Sequence, residues 1–480
     1  MKTRRKIRLV IALLALTATA AGQTPPPKAG DVQFTANWRL RAEGWDWFDT
    51  ALADGDYGFV ASLLRLGITQ QRPSFSWQIE LAQPTLLGLP SHAIAPAPQG
   101  ALGLGANYFA SNGENAASIF PKQAWFQGNL GKKAGTLRAG RFEFIDGAEA
   151  TPKNDTLALL KRERIAHRLI GNFGFSHVGR SFDGLRYSWT RASNNLTTMA
   201  GRVTRGVFHV DGLGELDTDV AYAAFTRQIP ARHPGEFRVF ALEYHDGRRI
   251  TKIDNRSAAL RSADHHNIRI HTVGGHWLQT AHAAGGDFDL LLWGALQGGE
   301  WGVLTQRATA LAAEAGFQPK MPRLRPWIRV GYQRGSGDGD ATDGRHSTFF
   351  QVLPTPRIYA RFPFYNLMNS QDAFLELWLR PSKRLTLRPA FHTVSLSNRH
   401  DLWYQGGGAY EKTSFGYAGR SSLNNSGLAN LVDASADWQV DPKTTLGFYF
   451  AHAAGKGVVQ SIYPLGASAN YGYVELQKRF

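Results

Sequence analysis

Segments of about ten residues in which apolar and polar side chains alternate recur along this sequence almost to its last residue. Phe34, Ala36, Trp38, Leu40 and Ala42 share one face, with Gln33, Thr35, Asn37, Arg39 and Arg41 on the other. Phe75, Trp77, Ile79 and Leu81 oppose Ser76, Gln78 and Glu80. Leu324, Pro326, Ile328, Val330 and Tyr332 oppose Arg323, Arg325, Arg329 and Gln333, and Val432, Ala434, Ala436, Trp438 and Val440 oppose Asp433, Ser435, Asp437 and Gln439. A period of two sends successive side chains to opposite faces, so each segment reads as a half-buried strand. About eighteen such segments run from 31–43 to 470–480, and a single-chain outer-membrane barrel needs an even number.

The connections sort by length in alternation. RPS (72–74), GKKAG (131–135), RASN (191–194), QIPARHPG (228–235), HAAGG (282–286), QPKMP (318–322), PSK (381–383) and DPK (441–443) are short. Those between them include long stretches near 84–120, 147–179, 247–265, 337–371 and 398–427. A soluble sandwich has no reason to sort its loops by parity, whereas outer-membrane barrels have short periplasmic turns and long extracellular loops. The expected fold class is therefore all-β: a transmembrane antiparallel β-barrel of about 18 strands.

The ends agree with this. Lys2, Arg4, Arg5, Lys6 and Arg8 precede the apolar run Leu9–Leu16 and a small-residue stretch, which reads as a secretory signal over 1–20 cleaved after Ala20. A short periplasmic tail (21–30) containing PPPK then leads to the barrel (31–480), with no room for a plug domain between them. The chain finishes NYGYVELQKRF. Gly472, Val474, Leu476, Lys478 and Phe480 share a face expected to look at membrane lipid, with Phe480 at the periplasmic interface and Lys478 departing from the apolar pattern. A terminal aromatic strand resembles the signal read by the outer-membrane assembly machinery. Cysteine is absent, so neither disulfides nor thiolate chemistry enter. The formal charge of +16 stays strongly positive without the signal and favours an anionic partner. Export points that partner to polysaccharide or phosphate-bearing lipid and away from nucleic acid.

A barrel of this size has a lumen too wide for wall side chains to fill. The alternation places Arg39, Arg41, Arg65, Arg186, Arg269, Arg325, Arg329 and Arg388 inward, with His271 and His392 and the acids Glu80, Glu314 and Glu376. Surplus arginine in a low-dielectric tube concentrates anions, and guanidinium grips carboxylate through paired hydrogen bonds. The alternative is that each arginine pairs with an acid across the wall. The densest group lies within 136–189, where a long loop carries Lys161, Arg162, Glu163, Arg164, His167 and Arg168. As a helix, Leu157, Leu160, Arg164 and His167 would share a face suited to folding against the inner wall; a solvated extracellular loop is the other reading.

LRAGR (137–141), RLIG (168–171) and RSFDGLRY (180–187), with the long stretch from FFQVLPTPR to HDLWY (349–404), resemble the alginate-export family of outer-membrane barrels over 31–480. The resemblance implies a monomeric channel of the same strand number that passes a polyuronate through an arginine-rich constriction. Arg141, Glu143, Arg180, Asp183 and Arg186 match the family's motif positions and would shape the selective part of the pore. Asp183 would pin its strand by pairing with a neighbouring arginine, and Asp401 also matches. The function implied is export of a carboxylated polysaccharide such as alginate, with uptake of small anionic nutrients as the alternative.

Other classes find less support. Ser176 and His177 adjoin, but neighbours on a strand face opposite ways and no G-x-S-x-G turn surrounds them, so no enzyme and no cofactor is expected. Asp338, Asp340 and Asp343 are weak calcium candidates that lack EF-hand spacing, and His265–His266 lacks a third ligand. A structural or adhesive barrel with a closed lumen remains open.

Overall fold

Eighteen long strands close on themselves. In the computed structural model, which describes residues 30–131, 135–356 and 358–480, they are β1 (Val32–Asp46), β2 (Asp56–Gln71), β3 (Phe75–Leu87), β4 (Phe120–Asn129), β5 (Thr136–Phe142), β6 (Phe182–Arg191), β7 (Asn194–Thr204), β8 (Glu215–Ile229) and β9 (Gly235–Asp246). They continue as β10 (Ile268–Ala283), β11 (Gly286–Trp301), β12 (Leu304–Pro319), β13 (Trp327–Gly335), β14 (Ser370–Trp378), β15 (Leu385–Ser395), β16 (Gly427–Asp441), β17 (Thr444–Gly455) and β18 (Ser468–Arg479). The expected signal and tail, through residue 29, lie outside the described residues. Each strand pairs antiparallel with its sequence neighbours, and β18 returns to β1 in a ladder from Asn37–Arg479 to Asp46–Asn470. Closure leaves no unpaired edge, the condition for a sheet to sit in lipid.

Turns 72–74, 192–193, 284–285 and 442–443 lie on the periplasmic side, with 143–181, 247–267, 336–369 and 396–426 opposite. The two-residue turn 302–303 is the exception on the long side, with Gly302 at φ +63°. Phe34, Leu66, Ile79, Leu185, Val239, Leu292, Val330 and Phe450 stand exposed on the outer face. Near the periplasmic ends Phe75 stacks on Phe126 and Phe288 on Phe317, as in an aromatic girdle. Phe480 is exposed, and its amide donates to the Ala36 carbonyl at 3.0 Å. Lys478 reaches the Thr444 hydroxyl at 2.7 Å, holding its ammonium at the strand ends.

Toward the extracellular ends of β5 to β10 the polarity rule inverts. Phe142, Phe182, Ile268 and Ile270 point inward and are buried by loops. Their neighbours Arg141, Asp183, Arg269 and His271, expected inside, stand on the outer face. There Arg141 pairs with Asp183 at 2.5 Å, and Arg269 and His271 with Glu243. The cause is environmental: above the hydrocarbon band the outside is polar and the loop-packed inside is dry. Arg325 is also displaced, because β13 begins at Trp327 and leaves Arg325 exposed in the turn 320–326.

Candidate channel constriction

The segment 143–181 meets β1, β9, β12, β14 and β18, which only a loop inside the barrel can do. Its helix Asp155–Leu160 starts where the Asn154 side chain accepts the Leu157 amide, with Asp155 in the first turn beside the positive helix end. The helix widens into a π-turn, Lys161–Ile165, and stops before His167, which takes φ +72°. Leu157, Leu160, Ile165, Leu169 and Ile170 bury against the wall, each worth about 1.5–3 kcal/mol. The expected shared face is met by Leu157, Leu160 and Arg164. His167 has left the helix, and its Nδ1 lies 3.1 Å from the Thr355 hydroxyl.

A second loop, 336–369, zips to the first. Gly171 N–H donates to Leu353 O and Leu353 N–H to Leu169 O, both at 2.8 Å, and Thr355 N–H reaches His167 O. The contact is so close that a Cβ on Gly171 would lie 2.3 Å from the Thr355 hydroxyl oxygen. The Arg180 guanidinium ties a third loop to the second, donating to Gly408 O at 2.6 Å and to Pro354 O at 3.3 Å. Where the loops meet the wall, a cavity of about 30 Å³ lined by Arg168, Gln333, Gln351, Tyr359 and Asn366 has room for about one water. The two loops thus narrow this end of the lumen from within.

The basic groups of the loop are largely neutralised. Arg164 pairs with Glu376 and, at 3.5 Å, with Glu314. Arg329 bonds Glu314 at 2.8 Å and Asp289 at 2.5 Å, and Arg168 lies 3.7 Å from Glu314. Lys161 meets Glu236 at 2.7 Å. Arg388 bridges Glu163 at 3.1 Å and Asp437 at 3.2 Å. Arg65 joins Glu80 to Glu143, while Arg41 meets Glu475 at 2.6 Å. Burial opposes the charge on Glu149, yet Arg238 at 2.9 Å holds its carboxyl down at about 2. Burial also pushes His167 down to about 4, leaving it neutral.

Among the described residues several inward or loop arginines have no carboxylate partner as close as these. Arg39 donates to Gly174 O at 2.5 Å with Glu475 at 3.8 Å, and Arg361 meets the Tyr473 hydroxyl at 2.5 Å. Among the described residues Arg138, Arg180, Arg186 and Arg361 have no ion pair at all; Arg138 lies over the Trp125 ring at 3.7 Å and opposite Arg186 in the ladder. Of these, Arg138 and Arg361 escaped the sequence reading. Arg138 shares a face with Gly140 and Phe142 and was within reach of the alternation; Arg361 lies in a loop with no period. The Ser176 hydroxyl is engaged with the backbone of its own turn, and Asp340 and Asp343 accept from Thr342 and Arg345. Among the described residues no three His, Asp or Glu side chains converge as a metal site.

The model of the alginate export family matches residues 115–455. OccK9 (OpdG) of Pseudomonas aeruginosa has a similar structure, with TM-score 0.57, 11% identity, and coverage of 94% of this chain and 99% of that one. A BenF-like porin from Pseudomonas fluorescens Pf-5 gives 0.56 at 9% identity, again over 94% and 99%. OccK2 (OpdF) of Pseudomonas aeruginosa in complex with glucuronate gives 0.56 at 8% over 94% and 99%. No curated protein sequence matches. Identities this low carry the fold alone. The closed barrel with its inward loops and the match over most of the sequence together place this chain in the alginate export family of outer-membrane channels.

Proposed function

We propose that the channel passes a carboxylated solute, and that its physiological cargo is a carboxylated polysaccharide such as alginate. One observation carries this reading. The partly exposed groups on the inner wall and its loops are Arg39, Arg65, Arg138, Arg186, Arg361 and Arg388, against the partly exposed acids Glu143, Glu149, Glu163 and Asp437, and the inward loop adds the exposed Lys153 and Arg162 against Asp155. Where protein buries the wall most charges are paired, with Arg180 the exception; where water reaches it, guanidinium is in excess. Such a surface lowers the energy of an anion along its path and raises that of a cation. The planar fork of Arg138 and Arg186 suits carboxylate; neither has an acid partner, and the Nε and Nη2 of Arg138 donate at 3.1 and 2.9 Å to the neutral Gln127 amide oxygen, which a carboxylate outcompetes. OccK2 in complex with glucuronate offers a parallel for a uronate on this fold. Loops 143–181 and 336–369 stand in the path of a polymer, so its passage depends on how far they yield.

The test is single-channel current across a planar bilayer under a potassium chloride gradient, with and without an oligouronate. The expected outcome is a reversal potential of anion-selective sign and block by the oligouronate. Replacing Arg138 and Arg186 together by Ala is expected to weaken block by about tenfold, the value of one lost charge-assisted hydrogen bond. Selectivity of the opposite sign overturns the reading. Anion selectivity without block discards the polymer and leaves the small-anion porin.

A further inference from the structure

The positive charge that the lumen largely cancels reappears uncancelled at the periplasmic rim. The turn 320–326 carries Lys320, Arg323 and Arg325, and the turn 379–384 carries Arg380, Lys383 and Arg384, with no Asp or Glu in either. The turns are neighbours because β13 pairs with β14, starting from Trp327 opposite Trp378. Arg380 N–H donates to Leu324 O at 2.6 Å, and the Arg325 guanidinium donates to Ser382 O at 3.0 Å, so they form one unit. Leu324 and Arg325 sit at φ +65° and +38°, a conformation costly for residues with side chains, and these cross-turn bonds hold it. All six basic groups except Arg380 are exposed.

The cations continue into the barrel. The Arg380 guanidinium lies 5.6 Å from the Trp327 ring and 5.5 Å from the Trp378 ring. Arg388, on the strand β15 that leaves the second turn, lies 4.0 Å over the Trp378 ring and bonds Glu163 of the inward loop. Phospholipid headgroups would meet a basic rim from outside but cannot follow it inward. A flexible anionic strand can.

We propose that the turns 320–326 and 379–384 form a periplasmic landing site for a carboxylated polymer, which Arg380 and Arg388 hand on to the loop constriction, so that capture is favoured from the periplasmic face. This rests on the carboxylated-solute reading above and adds a site and a direction to it. Landing on exposed charge raises the association rate and makes it steeply salt-dependent.

The experiment uses the full channel inserted in one orientation, with an oligouronate added to one face at a time. In the unaltered protein the block rate from the periplasmic face is expected to fall more steeply with salt than the rate from the extracellular face. Equal slopes overturn the proposal, and this arm needs no variant to fold. The combined variant Lys320→Gln, Arg323→Gln, Lys383→Gln, Arg384→Gln is expected to lower the periplasmic rate about tenfold relative to the extracellular rate. An unchanged ratio assigns the turns to the lipid headgroups and overturns the landing site while the channel reading stands. Absence of block from both faces overturns the polymer reading and the landing site together.

Discussion

At the scale of the residue, burial decides what an ion pair is worth. Arg329 is closed off from water between Glu314 and Asp289, so Arg329→Ala strands the buried Asp289 carboxylate, while Glu314 keeps Arg164 and Arg168 nearby. The expected cost is about 3–5 kcal/mol, read as a lowered unfolding midpoint in detergent. Arg202, exposed on the outer face beside Asp219, is expected to cost less than about 1 kcal/mol when changed to Ala. Titration in the extracellular loops follows the same logic. Burial pushes the Asp338 carboxyl up to about 6 and the Glu411 carboxyl up to about 7, from about 4 when solvated. The packed loops therefore hold protons that the released loops give up, and packing weakens as pH rises from about 4 through 7. Amides near 409–414 are expected to exchange on the order of tenfold faster at pH 8 than at pH 5 after correction for intrinsic rates, and Glu411→Gln is expected to flatten that dependence. Legibility at this scale was uneven. Alternation put Arg39, Arg41, Arg65, Arg186, Arg329 and Arg388 on the inner face, where the structure has them, and misplaced Arg269 and His271. Parity marks which side chains share a face, while which face is wet changes with height along the strand.

At the scale of the element, the inward loop 143–181 does most to shape the passage. Its helix was legible from the apolar spacing of Leu157 and Leu160. The π-turn at Lys161–Ile165 was not, since it arises where Lys161, Arg164 and Arg168 each reach a different acid on the wall. The zip at Gly171 gives a sharp prediction. Gly171→Val places side-chain atoms where Thr355 already stands and should part the two loops without touching a strand. The expected phenotype is a barrel that still shows heat-modifiable migration, with a larger and noisier single-channel conductance. Unaltered conductance would mean that the two loops do not set the resistance of the pore.

At the scale of the whole molecule, the two ends of the barrel differ in how charge is mixed. The periplasmic turns 320–326 and 379–384 carry basic groups and no acid, whereas the loop 247–267 at the other end sets Asp254 and Asp264 among Arg248, Arg249, Lys252, Arg256 and Arg261. What the amino-acid sequence determined by itself was the barrel: strand number, the parity of loop lengths and the lipid face, because period-two alternation and turn length are local properties that any antiparallel closed sheet must satisfy. What only the tertiary structure decided was which arginines remain available to a ligand. Arg164 and Glu376, or Arg41 and Glu475, are far apart in the chain and meet only when the loop folds inward and the last strand closes on the first. Whether a guanidinium is spent on the wall or open to a passing carboxylate depends on such distant partners, and local periodicity carries no information about them.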